Sequence, residues 1–129
     1  MAIRIVRLGT PRHAKEGLRI GTVRHPPRGV LKKDYARRNY FDVWLPELAP
    51  SAPLVSWFFS EPLTAKRWSD YARRYRREMQ KPAARRLIEL LAALSSKTNF
   101  SVGCYCEDEG QCHRSLLKML LLEHDAKIT

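Results

Sequence analysis

Short runs of alternating apolar and polar residues predict three β-strands. Residues 3–8 alternate isoleucine, valine and leucine with arginine and stop at Gly9. Residues 18–24 repeat the pattern until Pro26 and Pro27 close it, because proline cannot take part in a strand ladder. Residues 100–106 form the third run, and residues 126–129 are a candidate short edge strand.

Helical spacing of apolar residues predicts three longer helices. Thr64 is a suitable cap for a helix that runs to about Lys81, and Pro82 suits the first turn of the next helix, which Ser95 ends. A third helix begins near Cys112. One face of the first helix is apolar, with Trp68, Tyr71, Ala72, Tyr75 and Met79.

Strands that alternate with helices indicate an α/β fold with a small, mostly parallel sheet flanked by helices in a Rossmann-like three-layer arrangement. The 129 residues show no repeat and no linker, so we expect residues 1–129 to form one domain. Sheets of this kind bind ligands beyond the carboxyl ends of their strands. The sequence therefore predicts a site formed by residues 25–29 and 106–114.

The segment between residues 30 and 63 is interrupted by four prolines, and we expect only two short helical turns in it. It holds most of the aromatic residues of the chain. We interpret it as an aromatic cover packed on the core, with a stacking platform for nucleic-acid bases as the alternative.

The formal charge of +11 favours anionic partners, either a small molecule or nucleic acid. The chain begins without a signal-peptide pattern, and it contains no apolar run long enough to span a membrane. We therefore expect a cytoplasmic protein that does not bind membranes. The three cysteines lie within nine positions rather than along the chain, which indicates reduced thiols.

The cysteines are predicted to converge. The two-residue period of a strand places Cys104 and Cys106 on one face, and Cys112 lies at the start of the last helix. There its thiol meets the positive end of the helix dipole, which lowers a thiol pKa and increases its reactivity.

Three interpretations of this cluster stay open. In the first, Cys112 is a nucleophilic or redox thiol with His113 as acid or base, and Arg24, Arg28, Arg114 and Ser115 bind an anionic substrate. In the second, which the spacing does not favour, Cys104, Cys106, Cys112 and His113 bind zinc. In the third, the cysteines are small buried apolar residues.

Three motifs together resemble the family called domain of unknown function 488, or YeaO-like. They are Arg24 with Pro27-Arg28-Gly29, the segment 44–51 (WLPELAPS) with Trp57-Phe58, and Cys104-Tyr105-Cys106-Glu107 leading to residues 112–115 (CHRS). The resemblance covers most of the chain and implies a compact α/β fold. His25-Pro26 departs from it, since many relatives have a bulky residue there.

Two functions follow as hypotheses. The first is an enzyme or redox protein that uses Cys112 and the arginines on a phosphate-bearing or otherwise anionic substrate. The second is a nucleic-acid-binding module that uses the arginine-rich helix 64–81, with structural cysteines.

Overall fold

The computed structural model describes residues 2–129, except for the side chain of Glu109. Its centre is a four-stranded parallel sheet in the order β1-β4-β2-β3. The strands are β1 (Ile3–Arg7), β2 (Leu18–Gly21), β3 (Val43–Trp44) and β4 (Phe100–Cys104). Strand β4 lies between β1 and β2, and all five of its residues are buried.

Four α-helices surround the sheet, and the predicted α/β arrangement with a Rossmann-like layering is confirmed. They are α1 (Ala52–Phe59), α2 (Ala65–Glu78), α3 (Pro82–Leu94) and α4 (His113–Glu123). The hydroxyl of Thr64 accepts a hydrogen bond from the backbone of Arg67 and so caps α2, as the sequence predicts. No helix within residues 2–129 has both the length and the apolar character needed to cross a membrane.

The proline-rich segment contains the two short helical turns that we expected, Lys32–Asp34 and Pro46–Leu48. It also contains two elements that we did not expect: β3, which pairs with β2, and α1, an eight-residue helix capped by Ser51. Strands β2 and β4 also end earlier than predicted, at Gly21 and Cys104. At the chain end, Ile128 forms an isolated parallel bridge with Ile3, in agreement with a short edge element.

The two faces of the sheet differ. Ile20, Phe100 and Val102 face the main apolar core, which the helices complete. On the opposite face lie Arg19 and Ser101, both fully buried. Residues 10–16 and 39–42 supply the groups that bind Arg19 there. Both faces are thus covered, as is usual for parallel sheets.

Candidate functional site

A cavity of about 450 Å³ opens at the carboxyl ends of β2 and β4, where ligand sites of parallel sheets are found. Three segments form most of its wall: the turn after β2, the helix α1 and the region from β4 to the start of α4. The lining residues are Val23, Arg24, His25, Pro26, Pro27, Arg28, Tyr40, Pro50, Val55, Phe58, Phe59, Tyr71, Cys104, Tyr105, Cys106, Gln111, Cys112 and His113.

The three thiols converge at this cavity. The sulfur atoms of Cys104, Cys106 and Cys112 all lie within 4.8 Å of one another. Cys104 and Cys112 are buried, whereas Cys106 is partly exposed. The sulfurs of Cys104 and Cys112 are in contact, but their Cα atoms are 7.8 Å apart, which is beyond the separation that disulfides ordinarily span. We therefore describe the group as three adjacent thiols.

His113 is oriented by a backbone group. Its Nε2 lies 2.6 Å from the carbonyl oxygen of Thr22, and since a carbonyl can only accept, Nε2–H is the donor. The lone pair of Nδ1 then lies 3.7 Å from the sulfur of Cys112. Burial lowers the pKa of His113 to about 4, with a further contribution from the charge of Arg114. The imidazole is therefore neutral near pH 7 and is a weak base.

Arg114 lies outside the cavity lining and is only 4% exposed. One of its terminal nitrogens donates to the carbonyl oxygens of Cys106, at 2.7 Å, and Glu107, at 3.3 Å. Its buried Nε–H has no hydrogen-bond partner, and no carboxylate among the described side chains pairs with it. The structure thus holds a buried positive charge next to the thiol-bearing loop.

Of the other predicted anion-binding residues, some line the cavity and one does not. Arg28 is exposed at the cavity and makes no hydrogen bond or ion pair with the described part of the chain. Arg24 also lines the cavity, but it donates to the carbonyl oxygens of Pro46, Ala49 and Pro50. Ser115, outside the lining, donates to the carbonyl of Cys112. The structure therefore brings Cys112, His113, Arg24 and Arg28 to one cavity and leaves Arg114 and Ser115 behind it.

Aromatic side chains form much of the cavity wall, and sequence reasoning did not assign them to the site. Phe58 stacks on Tyr71 with ring centroids 4.1 Å apart, and Phe59 beside them is 70% exposed. Tyr105 packs edge-on against Tyr40 and donates a hydrogen bond from its hydroxyl to the carbonyl of His25. The pairing of Trp57-Phe58 with the other motifs was the signal that could have placed this helix at the site.

Burial and nearby positive charges act on the pKa of Cys106 in opposite directions. Burial raises the pKa of its thiol, while the positive charges of Arg114 and Arg7 lower it, and the net result is a raised pKa. The three sulfurs are the metal-donor atoms that the geometry brings together, and Nδ1 of His113 lies 3.7 Å from one of them, that of Cys112.

Comparison with known proteins identifies the family. The model of the family DUF488-N3a, described as the active DUF488-N3 subclade, matches residues 3–125. No curated protein and no solved structure matches the chain. The matched segment includes all four strands, all four helices and every residue that lines the cavity. The chain therefore belongs to the DUF488 family, for which YeaO-like is another name.

Proposed function

We propose that the cavity is the active site of an enzyme that acts on a small phosphate-bearing molecule, with the cysteine cluster, Cys112 foremost, as its reactive group. The convergence of three thiols at the wall of one cavity is the observation that carries the proposal. Three cysteines that served only as apolar filling would not need to meet beside an opening.

The size and the lining of the cavity favour a substrate with a flat ring. A volume of about 450 Å³ lies in the range of small-molecule sites. Phe59 lines the cavity and is 70% exposed, so its ring is available to a planar group, and stacking on such rings contributes about 1–3 kcal/mol per nucleobase in other proteins.

Arg28 supplies the charge that such a substrate needs. Its guanidinium is at the cavity and is not engaged by a described carboxylate, so it is available for a phosphate. Pro26 and Pro27 precede it and restrict the backbone, which reduces the entropy that is lost when the ligand binds. Arg24 is held by three carbonyls and contributes charge from a fixed position.

Turnover of defined probes tests the proposal. The purified full chain is incubated with the common nucleoside monophosphates and with ribose 5-phosphate, and the products are separated by chromatography. We expect at least one probe to be converted, Cys112→Ser to abolish conversion, and Arg28→Ala to raise KM by about tenfold or more. Arg38→Ala removes an exposed arginine outside the cavity lining and should leave KM unchanged. If no probe is converted, or if both arginine variants behave alike, the proposal fails.

A nucleic-acid-binding role is the second candidate, and one feature of α2 favours it. Lys66, Arg73 and Arg77 are exposed and share a helix face at intervals of seven and four residues. Arg73 pairs with Asp70 at 3.5 Å in a contact at the exposed surface. Other charges of α2 are also engaged: Arg67 and Arg74 lie over the ring of Trp57, and Arg76 pairs with Glu123.

Salt dependence separates this role from the first. If α2 binds nucleic acid, the affinity for a duplex DNA or RNA oligonucleotide should fall steeply with salt, and the double change Arg73→Glu and Arg77→Glu should weaken it sharply. The matched control changes Lys33 and Arg38 to Glu, which alters the net charge by the same amount at a different exposed segment. Equal losses in both double variants would assign the binding to net charge alone, and α2 would not be the interface.

A further inference from the structure

We infer that Cys104, Cys106 and Cys112 together bind one zinc ion, with a fourth coordination position that faces the cavity. The donor set carries the inference. Zinc bonds to thiolate sulfur at about 2.3 Å, so three sulfurs of a tetrahedral site lie about 3.8 Å from one another. The three sulfurs here are mutually within 4.8 Å, and binding of an ion requires the contacting sulfurs of Cys104 and Cys112 to move apart to that separation.

The backbone geometry favours a shared ion over a covalent link. The Cα atoms of Cys104 and Cys112 are 7.8 Å apart, and a disulfide would require the end of β4 and the start of α4 to approach each other. Both positions are held by pairing and packing: β4 is bonded to strands on both of its sides, and the side chain of His113 is hydrogen-bonded to Thr22. A metal ion requires the two sulfurs to separate, but it does not require β4 and α4 to approach each other.

The buried charge of Arg114 supports the same conclusion. Its guanidinium contacts the carbonyl of Cys106, its Nε–H is unsatisfied, and no described carboxylate compensates it. A buried cation without a counter-charge is strongly unfavourable. Zn²⁺ with three thiolates carries a net charge of −1, which would supply the missing negative charge next to Arg114.

The open position follows from the place of the cluster at the cavity wall, where Cys106 is partly exposed although Cys104 and Cys112 are buried. All three cysteines line the cavity, so the ion would have one side that water or a substrate can reach. Three protein ligands with an open fourth position are typical of catalytic rather than structural zinc. His113 is outside the set of mutually close donors, and we assign it to positioning Cys112. That the substrate binds at this open position rests on the proposed function, whereas zinc binding itself does not.

Metal content and affinity test the inference on the intact chain. The protein is purified under reducing conditions with zinc in the growth medium, and zinc per chain is measured by mass spectrometry. We expect about one zinc per chain. Competition with a chromophoric chelator should show at least about tenfold weaker binding in Cys106→Ser and in Cys112→Ser. Tyr105→Phe changes a residue between two of the ligands without removing a sulfur, and it should bind zinc like the native chain.

A spectroscopic measurement makes the result independent of how well the variants fold. Cobalt replaces zinc in the native chain, and thiolate-to-cobalt charge-transfer absorption reports the number of sulfur ligands. Intensity that corresponds to three thiolates supports the assignment. A native chain that contains no zinc and shows no such absorption overturns it, as does a Cys106→Ser variant with native affinity.

The outcomes distinguish this inference from the proposed function. If the native chain binds zinc through three thiolates but converts no phosphate-bearing probe, the zinc site stands and the enzymatic proposal fails. If a probe is converted in a Cys112-dependent way by a protein without zinc, the enzymatic proposal stands and the metal assignment fails.

Discussion

Two buried arginines at different places in the molecule have opposite surroundings. Arg19, in β2, is fully buried, and both oxygens of Glu16 accept hydrogen bonds from its guanidinium. The carbonyls of Thr10 and Asn39 accept from its remaining terminal nitrogen. Arg114, in α4, is buried to nearly the same degree but has only backbone carbonyls as partners and keeps one unsatisfied N–H.

We interpret Arg19 as a group that stabilises the fold, whereas the surroundings of Arg114 support its proposed place beside a functional site. Charge and hydrogen bonds are complete around Arg19, so this arginine needs nothing from outside the chain. Around Arg114 no described carboxylate provides a negative charge, and its guanidinium contacts the backbone of the cysteine-bearing loop instead. A buried charge that the described chain leaves uncompensated marks the neighbourhood in which a ligand or ion is expected.

The largest loss of stability is expected when Arg19 loses the counter-charge of Glu16. Glu16→Gln keeps the shape of the side chain but leaves the charge of Arg19 buried without a counter-charge. We expect the free energy of unfolding to fall by about 3–5 kcal/mol, measured by urea denaturation. A loss below about 1 kcal/mol would show that Arg19 and Glu16 are not coupled in this way.

Acid should weaken the same pair. Burial by itself raises the pKa of Glu16, but hydrogen bonds from Arg19 and Ser101 and the charge of Arg19 outweigh it and lower the pKa from 4.5 to about 2. The stabilisation is fully present above pH 4.5 and is lost as the pH falls from there towards 2, by roughly 3 kcal/mol in total. Unfolding curves of the native chain between pH 6 and 3 should show this loss, and Glu16→Gln should lack it. Parallel curves for the two proteins would contradict the assignment.

Removal of Arg114, the arginine without a counter-charge, should lower the free energy of unfolding by less. Arg114→Met in the metal-free, reduced protein loses hydrogen bonds to two carbonyls, but it also removes a buried charge that no described carboxylate stabilises. We therefore expect unfolding free energy to fall by less than about 2 kcal/mol in the same urea assay. A loss as large as that of Glu16→Gln would show that the two arginines have equivalent surroundings and would end the contrast between them.

The smallest effect is expected at a pair near the surface. Arg12 donates to both carboxylate oxygens of Asp42, and about a quarter of each side chain is exposed. Solvent screens such a pair, so Arg12→Gln should lower unfolding free energy by about 1 kcal/mol or less. This variant is the control for the first prediction, because it breaks an arginine–carboxylate pair of similar geometry without burial. A loss that approaches that of Glu16→Gln would mean that burial is not what distinguishes the two pairs.

Sequence patterns predicted the secondary structure correctly where it depends on local contacts. The start of α2, the extent of α3, the capping role of Thr64 and the start of the last helix at Cys112 are confirmed, because caps and helical spacing act within a few residues. Helix α2 ends at Glu78, earlier than the predicted Lys81, which instead precedes the first turn of α3. Strand β3 was missed because a strand of only two residues gives no periodic signal. Its pairing with β2 is also a long-range contact.

The site was predictable in part for the same reason. The meeting of the three cysteines was predicted from a strand period and a helix start; the sulfurs do meet, although β4 ends at Cys104 and Cys106 lies in the loop after it. The direction of Arg114 does not follow from its position next to Cys112, because each helical step rotates the side chain to a different side. The burial of Arg19 was also hidden: an arginine in an alternating strand is expected to face solvent, and only a sheet covered on both faces buries it.

The hydrogen bond between His113 and Thr22 ties two walls of the cavity into one rigid frame. Tilting the first turn of α4 away from the sheet would break a buried bond, and displacing the segment 46–50 would strip three carbonyls from Arg24. Entry to the sulfurs is therefore expected to depend on rotation of rim side chains such as the exposed Phe59, on the nanosecond scale, and not on slow opening of the backbone.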